Sequence, residues 1–197
     1  MMTSRSIDST GSGRRHHHGV SPRIVLLPVL AVLYAAKERG LPLSGLFDRL
    51  PKRYSRAALL KQFPRPVSLK IVERYSPGDA RISEAVFVPQ GVLLLDSVGG
   101  LLQGLDGEIQ TLQNIVTELA DFFSPALGFG EITRINYVDG VRLYFSNGDI
   151  AHLRPSGNAD ELRIYAVADS QVRADAIAKL AVAEPDGILR RLENRVI

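Results

Sequence analysis

Two dipeptides, Asp139-Gly140 and Asn147-Gly148, punctuate a run of short alternating segments, and they constrain this 197-residue chain more than any other feature. Glycine after Asp or Asn takes the positive φ that a tight hairpin turn needs, and that turn matches the twist of the strands on either side. The segments they separate are "EITRINYV", "VRLYFS" and "DIAHL". A polar loop follows, and then "ELRIYAVA". Val141, Leu143 and Phe145 fall on one side of the second run, and Leu162, Ile164 and Ala166 on one side of the last. Alternation of this kind buries one face of a sheet only. The reading is an α+β fold, an antiparallel four-stranded sheet with helices packed on one face.

The helices are also legible. "EIQTLQNIVTELADFF" over 108–123 carries one apolar stripe through Ile109, Leu112, Ile115, Val116, Leu119, Phe122 and Phe123. Ser170 caps "SQVRADAIAKLAVA", and "GILRRLEN" forms a last short helix. Nearer the start, "IVLLPVLAVLYAA" over 24–36 admits two readings. It has the charged, apolar and small-residue zones of a secretory signal, although it is too short to span a bilayer as a helix. It also suits a buried helix capped by Ser21, with Pro22 in its first turn and Gly40 at its end. Leu43, Leu46, Phe47 and Leu50 predict a short helix behind a Ser44 cap. Residues 52–64 predict another, capped by Ser55 and stopped before Pro64. Within 65–107, "VSLKIVERY" and "EAVFVPQGVLLLD" read as strands, with Pro89 confining its strand to an edge or splitting it.

Composition narrows the function classes. The chain has no cysteine, which excludes disulfides, thiolate nucleophiles and cysteine-ligated metals. Its formal charge of +3 comes from residues 1–23, where Arg5, Arg14, Arg15 and Arg23 face only Asp8. The remainder is balanced, so nucleic-acid binding is not expected. Residues 1–21 read as a disordered basic leader. His16, His17 and His18 in it are adjacent and fix no metal geometry. Asp96, Asp106, Asp139 and Asp149 are isolated carboxylates, mostly in turn contexts. His152 reads as a packed strand histidine.

Most of the chemistry lies in the loop after the third strand, "RPSGNADELR" over 154–163. Arg154 offers a planar fork that binds phosphate oxygens two at a time. Ser156 adds a hydroxyl. Gly157 is expected to turn with positive φ and bare its amide, and Asn158 to tolerate the same conformation and add an amide donor. Asp160 places a carboxylate near the intended anion. Arg163 is either a second ligand or a structural ion pair.

The run "VDGVRLYFSNGDIAHLRPSG", continuing through "NADELRIYAVADS", resembles the C-terminal phosphate-binding region of the phosphohexomutases, the family of phosphomannomutases and phosphoglucomutases. "AVLYAAKERGLPLSGLFDRLPKRY" resembles the tail of that family's third domain. The resemblance implies a leader at 1–21, a helical remnant of the third domain at 22–63 and a phosphate-binding domain at 64–197, with 65–107 poorly matched. It also implies a parent reaction that moves phosphate between the 1- and 6-positions of a hexose through a phosphoserine and magnesium, and a cytoplasmic setting. By motif match, Arg154, Ser156, Gly157 and Asn158, with Arg163, would hold the phosphate of a hexose phosphate. Asn158 and Asp160 stand where the family commonly has Thr and Pro. The family's serine loop, its aspartate-rich metal loop and its sugar-selecting loop have no counterpart here. The chain is therefore expected to have no catalytic residue, metal or cofactor of its own. It would be inactive alone, either a truncated piece or one whose other mutase domains lie on a partner chain, and with no membrane partner. The alternative is a free-standing phosphate- or phosphosugar-binding or complementing module.

Overall fold

The structure of the chain, a computed structural model, describes residues 22–197. The expected leader at 1–21, its three histidines and the Ser21 cap lie outside the described residues. The chain divides into two units, Met1–Pro51 and Lys52–Ile197.

In the first unit, helix α1 spans Pro22–Glu38 and carries Pro28 within it. Gly40 follows with φ 59°, a left-handed stop suited to glycine. Helix α2 is Leu43–Phe47 and starts after Pro42, so Ser44 lies inside it and is not its cap. Pro28, Val29, Val32 and Leu33 face Leu43 and Phe47 across an apolar groove of about 320 Å³.

The second unit is built on one seven-stranded sheet rather than a four-stranded one. The strands are β1 (Tyr54–Lys61), β2 (Glu84–Val88), β3 (Gly91–Leu95), β4 (Ile132–Asn136), β5 (Val141–Phe145), β6 (Ile150–Pro155) and β7 (Glu161–Ala168). Their spatial order is β1-β7-β6-β5-β4-β2-β3, and every pairing is antiparallel. The four expected strands are β4 to β7, at the centre. Their turns use glycine as the dipeptides predict, with φ 96° at Gly140 and 85° at Gly148.

Of the other three strands, β2 and β3 fall within "EAVFVPQGVLLLD", as its strand reading expects, and β1 corrects the sequence reading. Residues 52–64 do not form a helix. Tyr54–Lys61 pairs with β7 along its whole length, from Tyr54 opposite Ala168 to Lys61 opposite Glu161, and Ser55 is a strand residue. Ala57, Ala58, Leu59 and Leu60 favour a helix locally, but the free edge of β7 overrides that preference. Conversely, "VSLKIVERY" lies in helix α3, Arg65–Arg74, which starts at the prolines Pro64 and Pro66. Ser68, Ile71 and Tyr75 are its buried positions, at helical spacing. Pro89 does split its run, and β2 and β3 form a hairpin.

Helices α4 (Asp106–Phe122), α5 (Gln171–Val182) and α6 (Ile188–Val196) stand as expected, and the Ser170 hydroxyl caps α5 by accepting from the Arg173 amide. Helix α5 packs on β1 and β7, and α3 on β6 and β7. The core is a continuous layer of Ile135, Leu143, Leu153, Leu162 and Ile164 from the sheet with Ile71, Leu112, Leu119, Ile177 and Leu189 from the helices. Glu118 links three helices. It accepts from Arg74 at 2.9 and 3.1 Å, from the Tyr75 hydroxyl at 3.0 Å and from Arg195 at 2.9 Å.

Candidate anion site on the open face of the sheet

The period of two that sends Leu143, Leu153 and Ile164 to the core sends their neighbours to the other face of the sheet. There the register lines Arg142 up with His152, and His152 with Tyr165. Arg154 and Arg163 form the next facing pair. Arg142, Ile150, His152, Arg154, Tyr165 and Val167, with Asp139 and Ser55, line a cavity of about 380 Å³.

Arg154 points onto this face. Its Nε lies 3.0 Å from Oδ2 of Asp139, with about half of each side chain exposed to solvent. Such a pair adds little stability but gives the guanidinium one position. Asp139 is therefore more than a turn carboxylate. Its carbonyl oxygen also accepts from Nε2 of the buried His152. That assigns the neutral tautomer with Nδ1 bare, and Arg142 Nη2 donates toward Nδ1 at 3.4 Å. Burial lowers the His152 pKa from its ordinary 6.5. The Asp139 carbonyl opposes this, and Arg142 and Arg154 reinforce it. His152 is thus neutral at physiological pH.

A pH dependence follows. The unfolded chain takes up the His152 proton more readily than the folded one. The stability this burial allows is complete above about pH 6.5 and is lost as pH falls through the lower folded value. Urea midpoints are expected to fall from about pH 7.5 to about pH 5.5, and the fall to shrink in His152→Gln. His152 is the only histidine outside the leader, so its titration can be followed directly by NMR.

The loop itself is held at both ends. The Ser156 amide donates to the Glu161 carbonyl at 3.0 Å, and the Glu161 amide to the Ala159 carbonyl at 2.9 Å. Ser156 is buried, with its Oγ 3.5 Å from the Asn158 side-chain oxygen. Gly157 and Asn158 are exposed. Neither takes the expected left-handed conformation, since the positive-φ glycines of the second unit lie elsewhere and Gln62 is the only non-glycine with positive φ among the described residues. The bend is spread over four residues, so no one of them has to reverse the chain. Asp160 does not face an anion. Its carboxylate accepts from the Arg65 amide at 3.0 Å at the start of α3, and its carbonyl from the Phe63 amide at 3.0 Å. Arg163 binds Glu161, with Nη2 at 2.8 Å, and not Asp160.

The structure thus divides the expected constellation. Arg154 borders the sheet-face cavity, whereas Ser156, Gly157 and Asn158 form the adjoining bend and do not line it. Sequence reasoning passed over Arg142, Tyr165 and the carboxylate of Asp139. Arg142 alternates in phase with Tyr144 on the outward side of "VRLYFS", and that was the available signal. Among the described residues no three His, Asp or Glu side chains converge to hold a metal ion. No described helix is long and apolar enough to cross a membrane.

Comparison with known proteins agrees with this architecture. Residues 106–184 match the family model described as phosphoglucomutase/phosphomannomutase, C-terminal domain. The chain is 28% identical over 163 residues to a phosphomannomutase of Salmonella muenchen, covering 82% of this chain and 25% of that protein. It is 29% identical over 163 residues to a phosphomannomutase of Sinorhizobium fredii (strain NBRC 101917 / NGR234), covering 82% of this chain and 26% of that protein. The chain spans about a quarter of the length of the curated relatives it matches. Residues 106–184, which hold the meander, the loop after β6 and helix α5, are thus similar to the C-terminal domain of the phosphoglucomutases and phosphomannomutases.

Proposed function

We infer that this chain is the phosphosugar-anchoring region of a phosphomannomutase-like phosphohexomutase. Arg154 is its charged anchor, Ser156, Gly157 and Asn158 its neutral donors, and Arg163 the flanking cation. The observation that carries the reading is the position of Arg154 at the end of β6, where Asp139 holds one edge of the guanidinium and leaves it about half exposed. A phosphate held between half-reactions must also be released. One tethered guanidinium beside exposed amides suits that better than a dense cationic cage. In the parent reaction the anchored phosphate would be the one not reacting, so that the far end of the sugar is presented for transfer. The serine, the magnesium and the sugar-selecting groups would come from other mutase domains, and this chain alone would not turn over. Magnesium enters no step assigned to these residues.

Mannose 6-phosphate added to the isotope-labelled chain is expected to shift the Gly157 and Asn158 amides saturably. Arg154→Gln should weaken that binding by about tenfold or more. A coupled mutase assay with magnesium should give no turnover. Unmoved loop amides in a well-dispersed spectrum would remove the anchoring role, and magnesium-dependent turnover would remove the division of labour.

A second reading, a free-standing phosphate-binding or complementing module, draws support from one feature. The Lys52–Ile197 unit buries its own apolar core, with Phe63, Ile71, Leu112, Leu153 and Leu189 at 0% exposure.

A further inference from the structure

The anchoring reading leaves part of the open sheet face unused. Arg142 is directly across from His152, and Arg154 follows His152 on the same face, so the two arginines are diagonal neighbours roughly 7–8 Å apart at their stems. Both border the same cavity of about 380 Å³. Their electrostatics differ. Arg154 is matched by Asp139, whereas among the described residues no carboxylate lies within ion-pairing distance of Arg142. Arg142 meets only the bare nitrogen of a neutral imidazole. The cavity therefore carries one uncompensated positive charge.

The remaining walls are of two kinds. Ile150, Val167 and the Tyr165 ring form an apolar strip, with the His152 ring tilted against Tyr165 at 5.8 Å. Ser55 brings a hydroxyl, and the half-exposed Asp139 carboxylate is an acceptor. A guanidinium binds the paired oxygens of an anion. An aromatic ring with aliphatic neighbours takes the C–H face of a sugar, and a carboxylate and a hydroxyl suit its hydroxyl groups. The volume is at the small end of ligand cavities, which run from about 300 to 1,000 Å³.

We propose that the open sheet face is a second binding site, for a hexose bearing one anionic substituent, either phosphate or carboxylate. Arg142 holds the anionic group, the sugar ring lies over Ile150, Tyr165 and Val167, and Asp139 and Ser55 take its hydroxyls. The site is separate from residues 156–158, none of which lines the cavity. It does not require that loop to bind anything.

The test is an NMR titration of the full chain with mannose 6-phosphate, glucuronate, inorganic phosphate and mannose, each alone. The Ile150 and Val167 methyls and the His152 imidazole are expected to shift saturably with either sugar anion. Inorganic phosphate and mannose should bind at least about tenfold more weakly, since each satisfies one wall only. Saturation by one sugar anion alone would identify the substituent. Arg142→Gln should weaken the response by about tenfold or more, while Asn158→Ala leaves it unchanged. Should Arg142→Gln lose its fold, Arg142→Lys takes its place, since it keeps the charge and loses the paired donors. The proposal is overturned if Ile150, Val167 and His152 stay still, if the arginine variant binds as well as the parent, or if inorganic phosphate binds as tightly as the sugars. Shifts confined to Gly157 and Asn158 would overturn this site and leave the loop reading standing. Shifts confined to the sheet face would do the reverse.

Discussion

Gly140→Ala is expected to destabilise the Lys52–Ile197 unit by about 2–5 kcal/mol, combining left-handed strain with overpacking. Gly140 has φ 96°, which a side chain resists. A Cβ there would also lie 2.3 Å from the Leu153 carbonyl oxygen, 3.3 Å from its carbon and 3.4 Å from the Arg154 Cα. All three are backbone atoms of β6, so no rotamer change relieves the contact. The turn must lift off the strand. Lifting it also withdraws the Asp139 carbonyl from His152 and the Asp139 carboxylate from Arg154, so anion binding should weaken together with stability. Gly157→Ala is the control. Its φ is outside the left-handed region and nothing lies within 4 Å of the added carbon, so a change within about 0.5 kcal/mol is expected. Urea unfolding of the two variants beside the parent checks both values. Equal losses would contradict the account of the turn.

The second large effect is in the core. Phe123→Ala is expected to cost about 3–5 kcal/mol. The Phe123 ring is 1% exposed and meets Phe129 edge-on at 5.2 Å and Phe145 at 5.8 Å. Phe129 and Phe145 are themselves 4.9 Å apart, and the Arg173 guanidinium stands 4.9 Å from the Phe129 ring. The cluster joins the end of α4 to β5 and to the loop before β4. Arg173 extends it to the second tight turn through the buried Asp149 at 2.8 Å. Removing the central ring leaves a void that three elements cannot close together. An unchanged urea slope with a lowered midpoint would mark a loss of packing rather than a change in the unfolded chain.

The centre of the fold was legible because its information is local. Asp139-Gly140 and Asn147-Gly148 state their turn type in two residues, and "ELRIYAVA" states its buried face in its own alternation. The edge strand β1 was not legible for the complementary reason. Tyr54–Lys61 holds alanines and leucines that suit a helix, and only the open hydrogen bonds of β7, far along the chain, make it a strand. In α3 the β-branched Val67, Ile71 and Val72 suggested a strand, while their i, i+4 spacing with Tyr75 decided for a helix. The site divided in the same way. Arg154 could be read from its motif, but its grip on Asp139 and its nearness to Arg142 exist only once β5 and β6 are in register.

The bonds from Asp160 to the amides of Phe63 and Arg65 have a consequence for how the loop after β6 is governed. That loop and the short link from β1 into α3, bent at Gln62 with φ 55°, are stitched into one mechanical piece. A tug on that link reaches the loop through the two hydrogen bonds of Asp160. Whatever grips the first turn of α3 therefore has a lever on the set of the distant bend at 157–160.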